Sequence, residues 1–308
     1  MAENSKIEWT DHTFNPWEGC QKVGPGCDNC YAEARNARFA GGQAINWGPG
    51  APRRRTSASN WQLPVKWNKQ AQAAGIRYRV FCASLADVFD NEVDPAWRDD
   101  LFALIRATPN LDWLLLTKRI GNVESMVPSG WLALDDWPYN VWIGATIVNQ
   151  AEADRDLNKL LEIPARVHFI SYEPALGPIN IMPWLKPIDV LRPDPHGRDR
   201  SLSWVICGGE SGPNARPMHP AWARSLRNQC QATGVPFLFK QWGEWGLTWW
   251  EQHKHLDGLP PPDPAGEKAI AGSIMRVGRY DEMWPVVKVG KKAAGRLLDG
   301  RTWDEVPS

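Results

Sequence analysis

The residues with the clearest chemistry are three cysteines near the start of the chain, Cys20, Cys27 and Cys30. Residues 24–26 read Gly-Pro-Gly, and these residue types supply the tight turns that let a short loop aim several side chains at one point. A structural zinc site takes four protein ligands, and a 4Fe-4S cluster is usually held by four thiolates. The C-x6-C-x2-C spacing therefore predicts a metal or cluster centre with one coordination position left for another ligand.

The elements that position this loop are predicted from apolar runs that alternate with helix-like segments. A first strand at Lys6–Thr10 leads into the loop, and a helix from Tyr31 to about Phe39 follows it. Near-continuous apolar strands that alternate with helices are typical of a parallel sheet covered on both faces. The other predicted strands are Tyr78–Ser84, Trp113–Thr117, Val141–Thr146, Val167–Ser171, Trp204–Cys207 and Pro236–Phe239, and the other predicted helices are Pro95–Ala107, Ala151–Leu161 and about Pro220–Thr233. The predicted fold class is α/β, a partial or closed parallel β/α barrel related to the TIM barrel, with a doubly wound sheet as the alternative.

A β/α barrel carries its active site at the carboxyl ends of its strands. The side chains that fall there are Cys20, Asp87, Lys118, Thr146, Glu173, Glu210 and Lys240. Two parts are predicted: a barrel over residues 1–242 that includes the cysteine loop at 12–33, and an irregular Trp-, Pro- and Gly-rich extension or lid over 243–308. Residues 183–203 are Pro- and Arg-rich and are predicted to be an insertion.

Composition limits the class of protein. Lys plus Arg equals Asp plus Glu at 35 each, which argues against a surface that is basic throughout. Six cysteines, half of them in one loop, are not typical of a disulfide framework. No apolar stretch approaches the roughly 20 residues that span a bilayer, and the amino terminus is polar. We expect a protein of the reducing cytoplasm of a bacterial or phage-infected cell, without a membrane segment.

The loop resembles the cluster loop of radical S-adenosylmethionine (SAM) enzymes. The chain also resembles, more closely, a phage-associated family with a three-cysteine motif whose members are largely of unknown function. The residues that carry this resemblance are Thr13–Trp17, Gly19–Cys20, Gly26–Glu33, Leu116–Arg119, Gly208–Gly212 and Ala294–Trp303. The common radical SAM spacing is C-x3-C-x2-C with an aromatic residue before the last Cys. Here the first gap is longer and Tyr31 follows Cys30, which predicts a variant that holds adenosine differently.

The resemblance implies a 4Fe-4S cluster in which Cys20, Cys27 and Cys30 bind three of the four irons. It also implies that SAM binds the fourth iron and gives a 5′-deoxyadenosyl radical for hydrogen abstraction. An electron donor such as flavodoxin or ferredoxin is then expected. The candidates for cofactor binding are Gly208, Gly209, Glu210, Tyr31, Asp87, Thr146 and Asn149, and those for catalysis are Cys207, Lys118 and Glu173.

A nucleic-acid or nucleotide substrate is predicted from arginines close to aromatic residues. Arg53, Arg54 and Arg55 lie between Trp47 and Trp61, and arginines pair with phosphates while aromatic rings stack on exposed bases. Arg119, beside Lys118 at a strand end, is a further candidate for a phosphate. The phage association of the family points the same way, towards DNA modification or repair.

Two alternatives stay open. The first is a non-catalytic nucleic-acid-binding protein with a structural zinc ion, whose fourth ligand is His12 or Cys82. The second is a radical SAM enzyme that modifies a peptide or a separate partner protein. Neither the substrate nor the fate of SAM, consumed or regenerated, follows from the residues.

Overall fold

A computed structural model of the chain describes residues 5–133, 136–185, 200–247, 274–277 and 284–307. The predicted lid at 243–275 and the predicted insertion at 183–203 fall mostly outside these ranges. Within the described residues, no helix is both long and apolar enough to cross a membrane.

Twelve strands are described. They are β1 (His12–Thr13), β2 (Trp17–Glu18), β3 (Arg54–Arg55), β4 (Tyr78–Cys82), β5 (Leu111–Thr117), β6 (Val141–Thr146), β7 (His168–Tyr172), β8 (Trp204–Gly208), β9 (Phe237–Gln241), β10 (Trp245–Leu247), β11 (Ile274–Val277) and β12 (Trp284–Lys288). Seven of them form one sheet in the order β1-β4-β5-β6-β7-β8-β9, and every neighbouring pair is parallel. Because the strand order follows the chain, the sheet curls as a partial β/α barrel. The predicted fold class is confirmed.

The helices of the described residues lie between these strands. They are α1 (Tyr31–Phe39), α2 (Ala58–Trp61), α3 (Leu63–Ala74), α4 (Pro95–Ala107), α5 (Val123–Met126), α6 (Gln150–Glu162), α7 (Met182–Leu185), α8 (Pro220–Thr233) and α9 (Lys291–Ala294). Local capping sets their bounds: the Asp94 side chain accepts from the N–H of Ala96 at the start of α4, where Pro95 occupies the first turn. At the end of α3, Gly75 adopts a left-handed conformation at φ 64°.

The sheet separates two apolar clusters. The outer face of the sheet packs against the helices, as in the contact of Trp113 and Leu115 with the side chains of α3 and α4. The inner face carries an aromatic cluster without any helix residue: Trp9, Phe81, Trp142, Phe169 and Trp204, with Leu114, Val167, Ile206 and Leu238. This cluster occupies the inner face along the middle of the strands, and polar residues of the same face lie beyond it at both ends, Asp112 at the start of β5 and Thr146 at the end of β6.

Three sequence predictions differ from the structure. The first strand is His12–Thr13 and not Lys6–Thr10, because Trp9 packs into the inner aromatic cluster instead of pairing in the sheet. Helix α3 was not predicted, and it lies in a stretch that begins with Leu63-Pro64. Within the predicted irregular extension, β10, β12 and β11 form an antiparallel sheet in that order.

The end of the described chain covers one edge of the sheet. The N–H of Phe239 in β9 donates to the carbonyl of Trp303 at 2.9 Å, and Leu238 forms a bridge with Asp304. Trp303 and Leu298 are buried in the outer cluster. Covering β9 in this way protects a strand that would otherwise expose unpaired backbone groups.

Candidate functional site

The cysteine loop lies over the carboxyl ends of three central strands. A Cβ placed on Gly26 would lie 2.8 Å from Cγ1 of Val148, 3.5 Å from Cε of Lys118 and 3.8 Å from Cδ of Pro174. These three residues follow β6, β5 and β7 respectively. Only a glycine allows so close an approach, and it brings the neighbouring Cys27 to the end of the barrel where β/α enzymes carry their active sites.

One arginine holds the beginning of this loop. Arg119, which follows β5, has its Nη1 atom 3.5 Å from the sulfur of Cys20, and its Nη2 donates to the carbonyl of Gln21 at 2.8 Å. The same guanidinium lies 3.2 Å from Asp87 and 3.7 Å from Asp90. The start of the loop is therefore fixed by a buried cation with two carboxylates behind it.

A second arginine holds the end of the loop. Arg216 donates to Oε1 of Glu210 at 2.7 Å through Nη2, and the same nitrogen donates to the carbonyl of Pro25 at 2.8 Å. Its Nη1 lies 2.9 Å from the carboxylate of Asp28. Glu210 also accepts from Nδ2 of Asn29 at 3.0 Å. The loop is thus joined to the segment that follows β8.

The three cysteines of the loop are free thiols. Cys27 is buried, whereas Cys20 and Cys30 are half-buried, and Cys30 is the residue before the first turn of α1. Burial and, less strongly, the charge of Asp87 raise the pKa of Cys20 to about 11, although Arg119 opposes this shift. Among the described residues, no group of three or more His, Cys, Asp and Glu side chains has the spacing of a metal site.

The donor set of the loop fits an iron–sulfur centre in its chemistry. It offers three unpaired thiols on one loop, and the cation beside Cys20 opposes the effect of burial and so helps the thiol to ionise when a metal binds.

Below the loop, an ion pair occupies the inner face at the ends of the strands. Nζ of Lys240 lies 2.8 Å from both carboxylate oxygens of Glu173, and Nε2 of Gln241 donates to the same carboxylate at 3.2 Å. Gly208 provides the room, because a Cβ there would lie 3.2 Å from the carboxyl carbon of Glu173. Thr146 lies on the same face, two positions beyond Gly144 along β6, and it is buried.

The family model described as "Protein of unknown function (DUF5131)" matches residues 4–307. The chain belongs to this family. Among solved structures, a cysteine-to-serine mutant of spore photoproduct lyase is similar over 93% of this chain and 71% of that chain, with 13% identity and a TM-score of 0.43. No curated protein sequence matches. The fold of this DUF5131 member is therefore assigned from the seven-stranded parallel sheet described above and not from the similar structure.

Several predicted site residues of this DUF5131 member have structural partners. Asp87 accepts from the hydroxyl of Thr117 at 2.7 Å, from the N–H of Lys118 at 3.0 Å and from Arg119. The side chain of Asn149 caps α6 by accepting from the N–H of Glu152 at 3.0 Å. These contacts tie strand ends and a helix start together.

Cys207 and Gly209, at the end of β8 and just after it, are surrounded by other parts of the protein. Cys207 is fully buried on the outer face of β8, where the helical layer packs, so its thiol does not reach the inner face; burial raises its pKa well above the ordinary value. A Cβ on Gly209 would lie 1.9 Å from the carbonyl oxygen of Trp242. The close backbone approach at Gly209 is thus made by the protein itself and not by a ligand. The roles of Cys207 in catalysis and of Gly209 in cofactor binding stay predictions, and these contacts do not support them.

The predicted nucleic-acid surface is only partly exposed. Arg53 is buried, with Nε 2.7 Å from Asp90, so it cannot contact a phosphate; Arg119, beside Cys20, is buried as well. Arg54 pairs with Glu18 and keeps 67% of its side chain exposed, while Arg55 lies over the ring of Trp61 at 4.3 Å. Arg54 and Arg55 remain candidates for phosphate contact.

The residues predicted to complete a zinc site pack against the helical layer. The imidazole of His12 stacks on Trp67 with ring centroids 4.3 Å apart, and Cys82 is fully buried in the outer cluster. Both side chains face the helical layer. The zinc alternative therefore loses its predicted fourth ligand.

Arg216, Asn29 and Gln241 were not identified as site residues by sequence reasoning. Each acts through a partner that is remote along the chain, as in the contact of Asn29 with Glu210, 181 positions apart. The position of Lys240 at a strand end was predicted, but its pairing with Glu173 was not. A charged residue directly after an apolar strand was the only available signal.

Proposed function

We propose that the protein is a radical SAM enzyme whose Cys20, Cys27 and Cys30 hold a 4Fe-4S cluster. The observation that carries the proposal is the position of the loop: the loop with the three free thiols lies over the carboxyl ends of parallel strands, where Gly26 approaches residues that follow β5, β6 and β7 and Cys20 lies beside Arg119. A bound cluster would supply the electron that cleaves SAM to a 5′-deoxyadenosyl radical. The protein would orient the reactants and exclude water.

The residues beneath the loop have the charges that such reactants need. Glu173 and Lys240 offer a carboxylate and an ammonium group on the inner face, and each is 16–19% exposed. An ammonium or carboxylate group of a ligand would replace one member of this pair. The Oε1 atom of Gln241 is buried and has no partner among the described residues, so it is ready to accept from a further donor.

Lys118 and Tyr31 lie at the margin of the same space. Nothing among the described carboxylates lies within 4 Å of the Lys118 ammonium, which leaves it able to bind a carboxylate or phosphate group. The hydroxyl of Tyr31 donates to the carbonyl of Ser84 at 2.5 Å, and the residue is 58% exposed. Tyr31 is therefore partly exposed one residue after Cys30, and we propose that its ring stacks on adenine or a base.

We propose a nucleic acid or nucleotide as substrate, because the exposed Arg54 and the half-buried Arg55 form β3, which pairs with β2 two residues before Cys20. A low-potential electron carrier such as flavodoxin or ferredoxin would supply the reducing electron. A peptide or partner protein as substrate is the competing outcome of the same experiment.

The experiment is turnover of SAM by protein purified and reconstituted without oxygen. The protein is incubated with SAM and dithionite, alone and with single-stranded DNA, duplex DNA, RNA or nucleotides, and 5′-deoxyadenosine is measured by mass spectrometry. We expect product from the parent protein, none from Cys27→Ala, and a parental amount from Cys230→Ala, which removes a buried thiol far from the loop. Colourless protein with stoichiometric zinc and no product would refute the proposal.

A further inference from the structure

The Gly208-Gly209-Glu210 segment makes contacts that a ligand-binding role does not explain. The carboxylate of Glu210 accepts from Nδ2 of Asn29 at 3.0 Å, and from Arg216 through its N–H at 2.7 Å, Nε at 2.9 Å and Nη2 at 2.7 Å. Glu210 is only 6% exposed. Its acceptor positions are filled by groups of the protein.

The glycines explain why Glu210 points at the cysteine loop. A Cβ on Gly209 would lie 1.9 Å from the carbonyl oxygen of Trp242, and one on Gly243 would lie 2.1 Å from the carbonyl oxygen of Glu210. The N–H of Glu244 donates to that same carbonyl at 2.9 Å. The backbone after β8 is therefore pressed against the backbone after β9, which fixes the direction of the Glu210 side chain.

Arg216 connects this fixed carboxylate to the loop. Beyond Glu210, its guanidinium donates to the carboxylate of Asp28 at 2.9 Å and to the carbonyl of Pro25 at 2.8 Å. These two acceptors lie on either side of Cys27, and Asn29 lies next to Cys30. A planar guanidinium with several donors can satisfy two carboxylates and a carbonyl at once, which a lysine cannot.

We propose that Arg216 is a positioning residue which, with Glu210, latches residues 25–29 onto the end of β8 and thereby seats Cys27 and Cys30 over the barrel. The latch acts on the loop in the protein without any metal. If the proposed function is correct, the latch also holds two of the three cluster ligands, Cys27 and Cys30, in place. Only this second role rests on the proposed function.

The test measures the reactivity of each cysteine in metal-free protein under reducing conditions. Iodoacetamide labelling is followed by mass spectrometry at Cys20, Cys27, Cys30, Cys207 and Cys230 in the parent protein and in R216M, E210Q and D28N. We expect Cys27, which is 8% exposed, to label at least tenfold faster in R216M and E210Q, and by a smaller factor in D28N, which keeps the contact of Arg216 with Glu210. Labelling of Cys207 and Cys230 should stay unchanged, because both lie in the outer core.

Two controls separate this role from a general loss of stability. Arg166→Met removes an exposed arginine, and it should leave all five rates as in the parent. A variant that merely unfolds more often would expose Cys207 and Cys230 together with Cys27. Equal Cys27 rates in the parent, R216M and E210Q would overturn the latch. If the rates change as expected but the parent protein takes up no iron, the latch stands and the proposed function fails.

Discussion

The Nη1 atom of Arg119 lies 3.5 Å from the sulfur of Cys20. The guanidinium is enclosed on its other side by Asp87 and Asp90, and only 6% of the arginine side chain is exposed. A buried cation that touches a thiol on one side and carboxylates on the other joins the cysteine loop to the barrel. The residue predicted to bind a phosphate is instead part of the support of the loop.

Replacing Arg119 should destabilise the protein strongly. In R119M the carboxylate of Asp87 loses its buried cation, and we expect the free energy of unfolding to fall by about 3 kcal/mol. R119K keeps the positive charge, so it should lose less stability than R119M. It should still be less stable than the parent, because a lysine cannot contact Gln21, Asp87 and Cys20 together. Urea denaturation of the metal-free proteins measures both. R119M as stable as Arg166→Met would show that the contact has no structural importance.

A methyl group on Gly26 should displace the cysteine loop from the carboxyl ends of the strands. The added Cβ would meet Cγ1 of Val148 at 2.8 Å, so the loop or the valine must move. We expect G26A to lose about 1–2 kcal/mol of stability and to bind iron more slowly during reconstitution. Gly130→Ala is the matched control, because no atom lies within 4 Å of a Cβ there. Equal iron uptake by both variants would mean that the position of the loop does not depend on Gly26.

Arg53 and Arg54 should behave differently although they are neighbours. Arg53 pairs with Asp90 at 2.7 Å with both side chains at most 1% exposed, so R53M should cost about 3 kcal/mol by leaving the buried carboxylate with only the longer contact to Arg119 at 3.7 Å. R54M should change the free energy of unfolding by less than about 1 kcal/mol, since its side chain is mostly exposed. Chemical denaturation distinguishes them. A surface-like effect for R53M would contradict the buried pair.

The stability supplied by Asp299 should depend on pH. Burial alone would raise the pKa of its carboxyl, but hydrogen bonds from Arg227 at 2.6 Å and Arg224 at 2.8 Å outweigh burial and lower it. A lowered folded-state pKa stabilises the fold above the unfolded value of about 3.9 and loses this effect as pH falls through the folded value.

Asp299→Asn should therefore cost about 1–2 kcal/mol at pH 7, and the difference from the parent should shrink as the pH falls below about 4, the unfolded-state pKa. Asparagine tolerates the left-handed backbone of residue 299, where φ is 53°, so the change removes mainly the charge. Urea unfolding between pH 3 and 7 measures the difference, with Asp99→Asn on the exposed side of α4 as control. A difference that does not change with pH would contradict the assignment.

The barrel could be predicted from the sequence because its strands are buried on both faces. Val141–Thr146 and Pro95–Ala107 agree with the structure residue for residue, since a continuous apolar run and a helix with Pro in its first turn are local signals. The first strand could not be predicted in this way. Lys6–Thr10 alternates like a strand, yet Trp9 is used to fill the barrel interior.

The support of the site could not be predicted from local pattern. Arg119 lies 99 positions from Cys20, and Arg216 lies 188 positions from Asp28. The residues next to an arginine in the sequence do not indicate which distant carboxylate the arginine will pair with in the fold. Arg53 shows the converse error, because a run of three arginines resembles an exposed basic patch while its first member is buried against Asp90.

The central claim is that the three loop cysteines hold an iron–sulfur cluster. Its most direct test is the iron and acid-labile sulfide content, per chain, of protein reconstituted without oxygen. We predict about four of each in the parent and in Cys230→Ala, and less than about one in Cys20→Ala, Cys27→Ala and Cys30→Ala. Iron content that is unaffected by all three loop substitutions, or stoichiometric zinc in place of iron, would contradict the claim.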